Sequence, residues 1–486
     1  MRPVWAVLAA LVLTATCALA QDDDAPAPPA PKKSVDSTFI SYSQPVIAFT
    51  HAEIVDGTGA APKYDQTLIV RNGRIFAIGP AARTKVPAGA AVIDAHGKTL
   101  LPGFVMVHEH LFYPTGRYDG MPLYGSMLFS FPRLYLAGGT TTARTAGSLV
   151  PYGDINVKRD IDSGKGIGPD LDATAPYLNG TGIPILQMQR LAGPQDAKRS
   201  VNYWADEGFT SYKAYVDITR DELAAAIGAA HARGLKVTGH LCSVTYREAA
   251  ERGIDDLEHG FAVMTDFVVG KQPDICPKDG NRQSLIDLRL DDPRLTSLMR
   301  FLIAHHVAIT STLTVFETFT PGRPEAPLAA REMLVPELRE AYEKQWAAVP
   351  GTDRFKPWAV IFPKLMKMEK MYADMGGTLL AGTDPTGYGG VVPGFAGKRE
   401  VELLVEAGLP FPQALKIATL NGAVYLGRAG EVGSLAAGKR ADIAVVAGDP
   451  VKNPAAVEHM PLVFKKGVGY DTARIFAAMK GQVGLY

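Results

Sequence analysis

The chain reads as an α/β protein: a (β/α)8 barrel, the TIM barrel, carrying a small β-sandwich domain built from both chain ends. Three observations predict this. Between residues 101 and 428, short apolar strands alternate with amphipathic helices, the pattern of βα units and a parallel sheet. Eight such strands can be read there. Segments of β texture, broken by Gly and Asn-Gly turns, flank this middle on both sides, in "TLIVRNGRIFAIG" before it and "GSLAAGKRADIAVVAGDP" after it. At 486 residues the chain is too long for one ordinary core, and a barrel with insertions absorbs most of it.

The N-terminus opens with Arg2, the apolar run "VWAVLAALVLTATCALA", and small residues Ala18 and Ala20 in the arrangement that signal peptidase cuts. Residues 1–20 are therefore expected to be a removed export signal, and the protein periplasmic or secreted. The run is shorter than the roughly 20 residues needed to cross a bilayer, so no membrane span is expected. Thr16 before Cys17 is a poor fit to a lipid-attachment site. The Pro-rich, charged stretch "DDDAPAPPAPKK" reads as part of a disordered linker over 21–44. Residues 45–100 and 429–486 then form the two parts of the small β domain, and 101–428 the barrel.

Charge excludes some partners. Lys plus Arg number 50 and Asp plus Glu 50, with no basic run, so neither nucleic acid nor an anionic membrane surface is an expected partner. A small-molecule substrate is, and a homo-oligomer is compatible with the sequence. Export would leave Cys242 and Cys276 in an oxidising compartment; Cys276 lies in the loop after the strand neighbouring that of Cys242, and a disulfide is expected.

The barrel strands are read in "GFVMVHEH", "TTTARTAG", "LDATAPYLN", "FTSYKAYV", "LKVTGHLC", "IDDLEHG", "VAITSTLT" and "GTLLAGTD". Of the helices between them, "TRDELAAAIGAAHARG" shows its limits best, with Thr219 as N-cap, Glu222 completing a capping box and Gly234 as the stop. The reactive side chains of such a barrel sit at the C-terminal ends of its strands. There the first strand carries His108 and His110, which a side-chain period of two places on one face, with Glu109 on the other. A core that needed only filling would use Val or Leu, because each buried His brings two ring nitrogens that need partners. Lys213 on strand four, His240 and His259 ending strands five and six, and Asp384 ending strand eight would face the same mouth. Each alone has an ordinary structural explanation; six together at one end of the strands read as a metal site. His51, His96, His231, His305, His306 and His459 fall outside it.

These motifs, "LPGFVMVHEH", the strand-four lysine, "TGHL", "EHG", "AGTDP" and the tail "GSLAAGKRADIAVVAGDP", resemble the metal-dependent amidohydrolase superfamily over nearly all of the mature chain. The likeness is to its binuclear carboxylated-lysine subgroup, the prolidase and imidazolonepropionase relatives. It implies two divalent metal ions, zinc being the expected identity: His108, His110 and Asp384 at the first, His240 and His259 at the second, and a carboxylated Lys213 bridging both. It implies hydrolysis of an amide-like bond by a hydroxide held between the ions, with Asp384 as the catalytic proton carrier. One departure is Met106, which stands where the family usually has an Asp two residues before the first His.

Specificity would lie on the βα loops, two of which, 260–290 and 314–362, are long. Candidate substrate-binding residues near the mouth are Tyr113, Arg117, Arg144, Tyr177, Asn179 and Tyr215, with Arg144 the best placed to fork onto a carboxylate. The expected substrates are dipeptides or N-acyl amino acids, the alternatives a cyclic amide or a lactone. A non-catalytic scaffold is disfavoured because all six ligand positions are filled.

Overall fold

In the computed structural model of the chain, residues 35–182, 184–278 and 280–485 are described. The expected export signal and the first part of the linker lie outside them. The rest of the expected linker is ordered, which corrects that reading: Val35–Phe39 is a 3-10 turn, and Ile40–Tyr42 is a strand pairing antiparallel with Val468–Asp471. The cause is burial. Phe39 packs into an apolar cluster with Tyr135 and Ile475, and the Asp36 carboxylate accepts from both Nε and Nη2 of Arg133 at 2.8 Å.

Eight parallel strands carry the site: β1 Phe104–Glu109, β2 Thr140–Thr145, β3 Asp170–Asp172, β4 Ser211–Ala214, β5 Lys236–Gly239, β6 Asp256–Glu258, β7 Ala308–Ser311 and β8 Leu379–Ala381. They form two sheets, in the orders β3-β2-β1 and β4-β5-β6-β7-β8. Single contacts join the sheets. Thr174 bridges to Ser211 and Leu178 to Ala214 beside β4, while the amides of Thr383 and Asp384 beyond β8 donate to the His108 carbonyl of β1 at 3.0 and 3.1 Å. The fold is thus TIM-barrel-like, with consecutive strands as neighbours and two seams where no continuous ladder runs. The helix Arg220–His231 between β4 and β5 starts on the capping box read from sequence, Thr219 Oγ1 accepting from the Glu222 amide at 3.2 Å.

The β segments of the two chain ends do join. Where a two-layer sandwich was expected, however, the hydrogen bonds describe one nine-stranded sheet. The reason lies in one strand: Ile443–Ala447 pairs with Lys98–Pro102 on one side and Leu462–Lys465 on the other, so the C-terminal segment continues the N-terminal sheet edge to edge. Phe49, Leu68, Ile443 and Phe464 share its apolar core. This sheet meets the parallel strands at Asp170, the first residue of β3, whose carboxylate lies 2.6 Å from Arg440, 2.7 Å from Lys465 and 2.8 Å from Arg428.

The long connections are structured. A hairpin, Phe112–Tyr118 with Met121–Ser126, follows β1, and helices including Leu313–Thr318 and Pro336–Ala348 follow β7. No helix among the described residues is long and apolar enough to cross a membrane.

Candidate metal centre

Strand alternation does what the sequence implied at β1. His108 and His110 turn towards the other strand ends, while Glu109 faces the opposite way and accepts from the Thr383 hydroxyl. All three are buried, and burial pushes the Glu109 carboxyl up to about 8. Lys213, His240, His259 and Asp384 converge on the same point. His110 Nε2 is 3.2 Å and His108 Nε2 3.8 Å from Asp384 Oδ1; His259 Nδ1 is 3.7 Å from Oδ2; and Lys213 Nζ is 3.2 Å from His108 Nε2. The His259 ring centre lies 4.5 Å from those of both His108 and His240. All six residues expected to form a metal site are brought together.

Two of them hold unusual backbone. His259 has φ 69° and Asp384 φ 53°, the left-handed region that non-glycine residues seldom occupy. Such conformations cost of order 1–3 kcal/mol and persist where the surroundings over-determine them, commonly at functional sites. For Asp384 the surroundings include the Thr386 hydroxyl, which donates to Oδ1 at 2.9 Å.

Burial sets the protonation. It lowers every imidazole of the cluster: His240 falls to about 4, and His108 and His259 lie well below their ordinary range, with the neighbouring cationic groups adding to the effect. The rings are therefore neutral at pH 7, the form that offers a lone pair to a metal. Burial also lowers Lys213, against the pull of Glu258 and Asp384. Burial alone would raise Asp384, but the hydrogen bond from His110 and the positive charge of Lys213 outweigh it and hold the carboxylate ionised.

The donors fit metal ions. The atoms of His108, His110 and Asp384 lie within 4.8 Å of one another, as do those of His108, Glu258 and His259. Nδ1 of His110 is buried without a hydrogen-bond partner among the described residues. Imidazole and carboxylate donors in this mixture suit zinc and related divalent ions.

Glu258 was not anticipated. Its Oε2 touches Lys213 Nζ and lies 3.2 Å from His108 Nδ1, and its Oε1 accepts from Arg144 at 3.0 Å and from the Thr238 hydroxyl at 2.5 Å. The signal was present in "IDDLEHG": Asp256 and Glu258 are two apart, hence on one face of β6, and two acids on one face of an apolar strand each need a partner, which Asp256 finds in the Thr310 hydroxyl and Glu258 in Arg144.

The predicted substrate-binding residues divide. Tyr177 and Tyr215 line a cavity of about 180 Å³ beside the cluster, as do Phe112, Tyr124, Phe316 and Phe319, which the sequence reading passed over. Arg144 does not, which corrects the expectation that it grips a carboxylate. It is fully buried inside the strands and spends its donors on Ser211 Oγ, the Val107 carbonyl, Glu258 Oε1 and Thr238 Oγ1, at 2.9–3.0 Å. Tyr113 also faces elsewhere: its hydroxyl accepts from the Gly390 amide at 2.9 Å within an apolar cluster. Asn179 is a loop tie, donating to the Gly182 carbonyl and accepting from the Asp217 amide. Arg117 is exposed at the hairpin tip and donates to the Gly120 carbonyl. Cys242 and Cys276 are joined by a disulfide, their Cα atoms 4.9 Å apart.

The sequence profile of the amidohydrolase family matches residues 99–476. No curated protein sequence matches the chain. Among solved structures, an Xaa-Pro dipeptidase with bound methionine in the active site superposes with a TM-score of 0.64 at 19% identity, over 88% of this chain and 100% of its own. A bottromycin amidohydrolase gives 0.67 at 20%, over 91% and 92%, and the ochratoxinase of A. niger 0.61 at 17%, over 87% and 94%. Likeness at such identities speaks for the shared fold.

Proposed function

The chain belongs to the amidohydrolase family, and from that premise we propose that it is an exported hydrolase cutting the amide bond of dipeptides or N-acyl amino acids at two divalent metal ions. The family is metal-dependent, and its members' action on amide and peptide C–N bonds extends to this chain. The finer reading, with its eight strands as one (β/α)8 barrel, rests above all on one observation: the buried His108, His110 and His259, the half-buried His240, Lys213 and Asp384 meet at the strand ends.

In this reading His108, His110 and Asp384 would hold one ion and His240 and His259 the other, with a carboxylated Lys213 as a shared donor and zinc the expected metal. Bound there, such ions activate water near neutral pH and polarise a carbonyl. The protein's own side chains do the rest. Asp384, ionised and beside the cluster, takes a proton from the attacking water and returns it to the leaving amine. The aromatic residues around the cavity shield the reacting bond from bulk water. Glu258 accepts from Arg144 Nη1 at 3.0 Å, which keeps a buried carboxylate paired beneath the site.

Solved structures of similar fold are named for dipeptide and amide substrates, such as the Xaa-Pro dipeptidase and the bottromycin amidohydrolase, which supports the choice of bond. The test is a panel of dipeptides and N-acyl amino acids run beside cyclic amides and lactones, with metal-loaded and chelator-stripped protein. Metal-dependent cleavage of the linear amides is the expected result. Turnover confined to the cyclic compounds contradicts it.

A further inference from the structure

We infer that the cavity beside the ligand cluster is a selectivity pocket for one uncharged aromatic or apolar group on the acyl side of the bond that is cut. The inference deepens the amide-hydrolase reading and rests on it.

The wall is the first ground. Phe112, Tyr124, Tyr177, Tyr215, Phe316 and Phe319 line the space beside the ligands, Phe112 stacking on His110 with ring centres 4.3 Å apart. The wall is also braced from behind: Phe316 stacks on Trp358 with ring centres 5.1 Å apart, and Phe319 stacks on Phe355 at 5.9 Å. Rings packed in this way cannot turn aside to admit a solvated charge, so a charged flank would lose its water without gaining a partner. An apolar flank gains by the same desolvation.

Size is the second ground. A dry apolar cavity of about 150 Å³ accepts a benzene-sized molecule, and this one measures about 180 Å³. Metal ions would occupy part of it, leaving room for a single ring or branched aliphatic group.

Charge is the third. Outside the ligand cluster every lining residue is neutral. Arg144, the guanidinium expected from sequence to grip a carboxylate, is committed to four acceptors within the strands. The polar groups left to a substrate are uncharged: among the described residues the hydroxyls of Tyr177 and Tyr215 have no hydrogen-bond partner, and they can donate to a substrate carbonyl.

The test uses metal-loaded full-length protein and N-acyl amino acids that share one amino acid and differ only in the group on the acyl carbonyl: benzyl, isobutyl, methyl, carboxymethyl or aminobutyl. The benzyl compound should exceed the methyl compound in kcat/KM by at least about tenfold, and both charged flanks should fall below methyl. A charged flank that equals or exceeds benzyl overturns the inference. Phe319→Ala should collapse the benzyl-to-methyl ratio towards one and Phe319→Leu should keep part of it, in variants whose circular dichroism matches the parent; a ratio untouched by Phe319→Ala also overturns it. If no amide is cleaved, the amide reading fails, and the pocket is then decided by ligand-observed NMR. Saturation transfer to phenylacetamide, absent for acetamide and abolished by Phe319→Arg, upholds it; equal transfer to both compounds does not.

Discussion

His108 and His110 were legible because an apolar strand that ends in two histidines one residue apart offers few other uses for them. Asp384, Lys213, His240 and His259 followed from their place at strand ends. Arg144 was misplaced for a physical reason. Every residue of β2 is buried, so alternation along "TTTART" separates two buried faces and says nothing of which one meets substrate. Glu258 was missed because its neighbour His259 drew the attention, and adjacent strand residues point to opposite sides. Two predictions belong at this scale. Asp384→Asn should keep its coordinating oxygen but lose proton transfer, lowering kcat by about 10²–10⁴-fold with metal content maintained; steady-state kinetics beside elemental analysis checks both. Arg144→Leu should act on stability, since it leaves Glu258 ionised and buried without its guanidinium, a change that typically costs about 3–5 kcal/mol. Urea unfolding reads that cost. A stable variant whose only change is a raised KM for carboxylate-bearing substrates would restore Arg144 to the substrate.

Elements were legible where local rules suffice. The helix Arg220–His231 begins on its capping box because Thr219 and Glu222 satisfy two amides reciprocally. The ordered turn at Val35–Phe39 was hidden, because a window dominated by Pro and Asp outweighs the one Phe and one Asp that dock. The helix Pro151–Asp162 carries a further consequence. Asp154 in its first turn is buried, and burial raises its carboxyl to about 7 against the Ser148 hydroxyl, which lowers it. The folded state therefore holds this proton more tightly than the unfolded chain. Its contribution to stability is full below the ordinary value of 3.8 and is lost as pH rises through about 7. Asp154→Asn should remove that dependence, so its stability relative to the parent grows between pH 4 and pH 7 and then levels, by at most about 4 kcal/mol. Denaturation midpoints of both proteins across this range provide the check. A constant difference would mean that Asp154 is ionised in the folded state throughout.

At the scale of the molecule, the eightfold βα order and the union of the chain ends were both legible, because each depends on patterns repeated along the chain. The single nine-stranded sheet was not. Strand texture shows that two segments are β, but the pairing of Ile443–Ala447 with Lys98–Pro102 is a contact across more than three hundred residues that no local pattern encodes. Asp170, with its ring of Arg428, Arg440 and Lys465, then locks that sheet to β3, so the frame that carries the ligand cluster draws on both ends of the chain. The central claim is that this frame exists to hold two metal ions for amide hydrolysis. It is tested most directly by elemental analysis of the purified protein, prepared with divalent metal and bicarbonate, with amide-hydrolase activity followed as the metal is stripped and restored. The account predicts about two divalent ions per chain, activity that falls and returns with them, and loss of the bridged pair in Lys213→Ala. Full amide-hydrolase activity in protein that retains less than about a tenth of an ion per chain would contradict it.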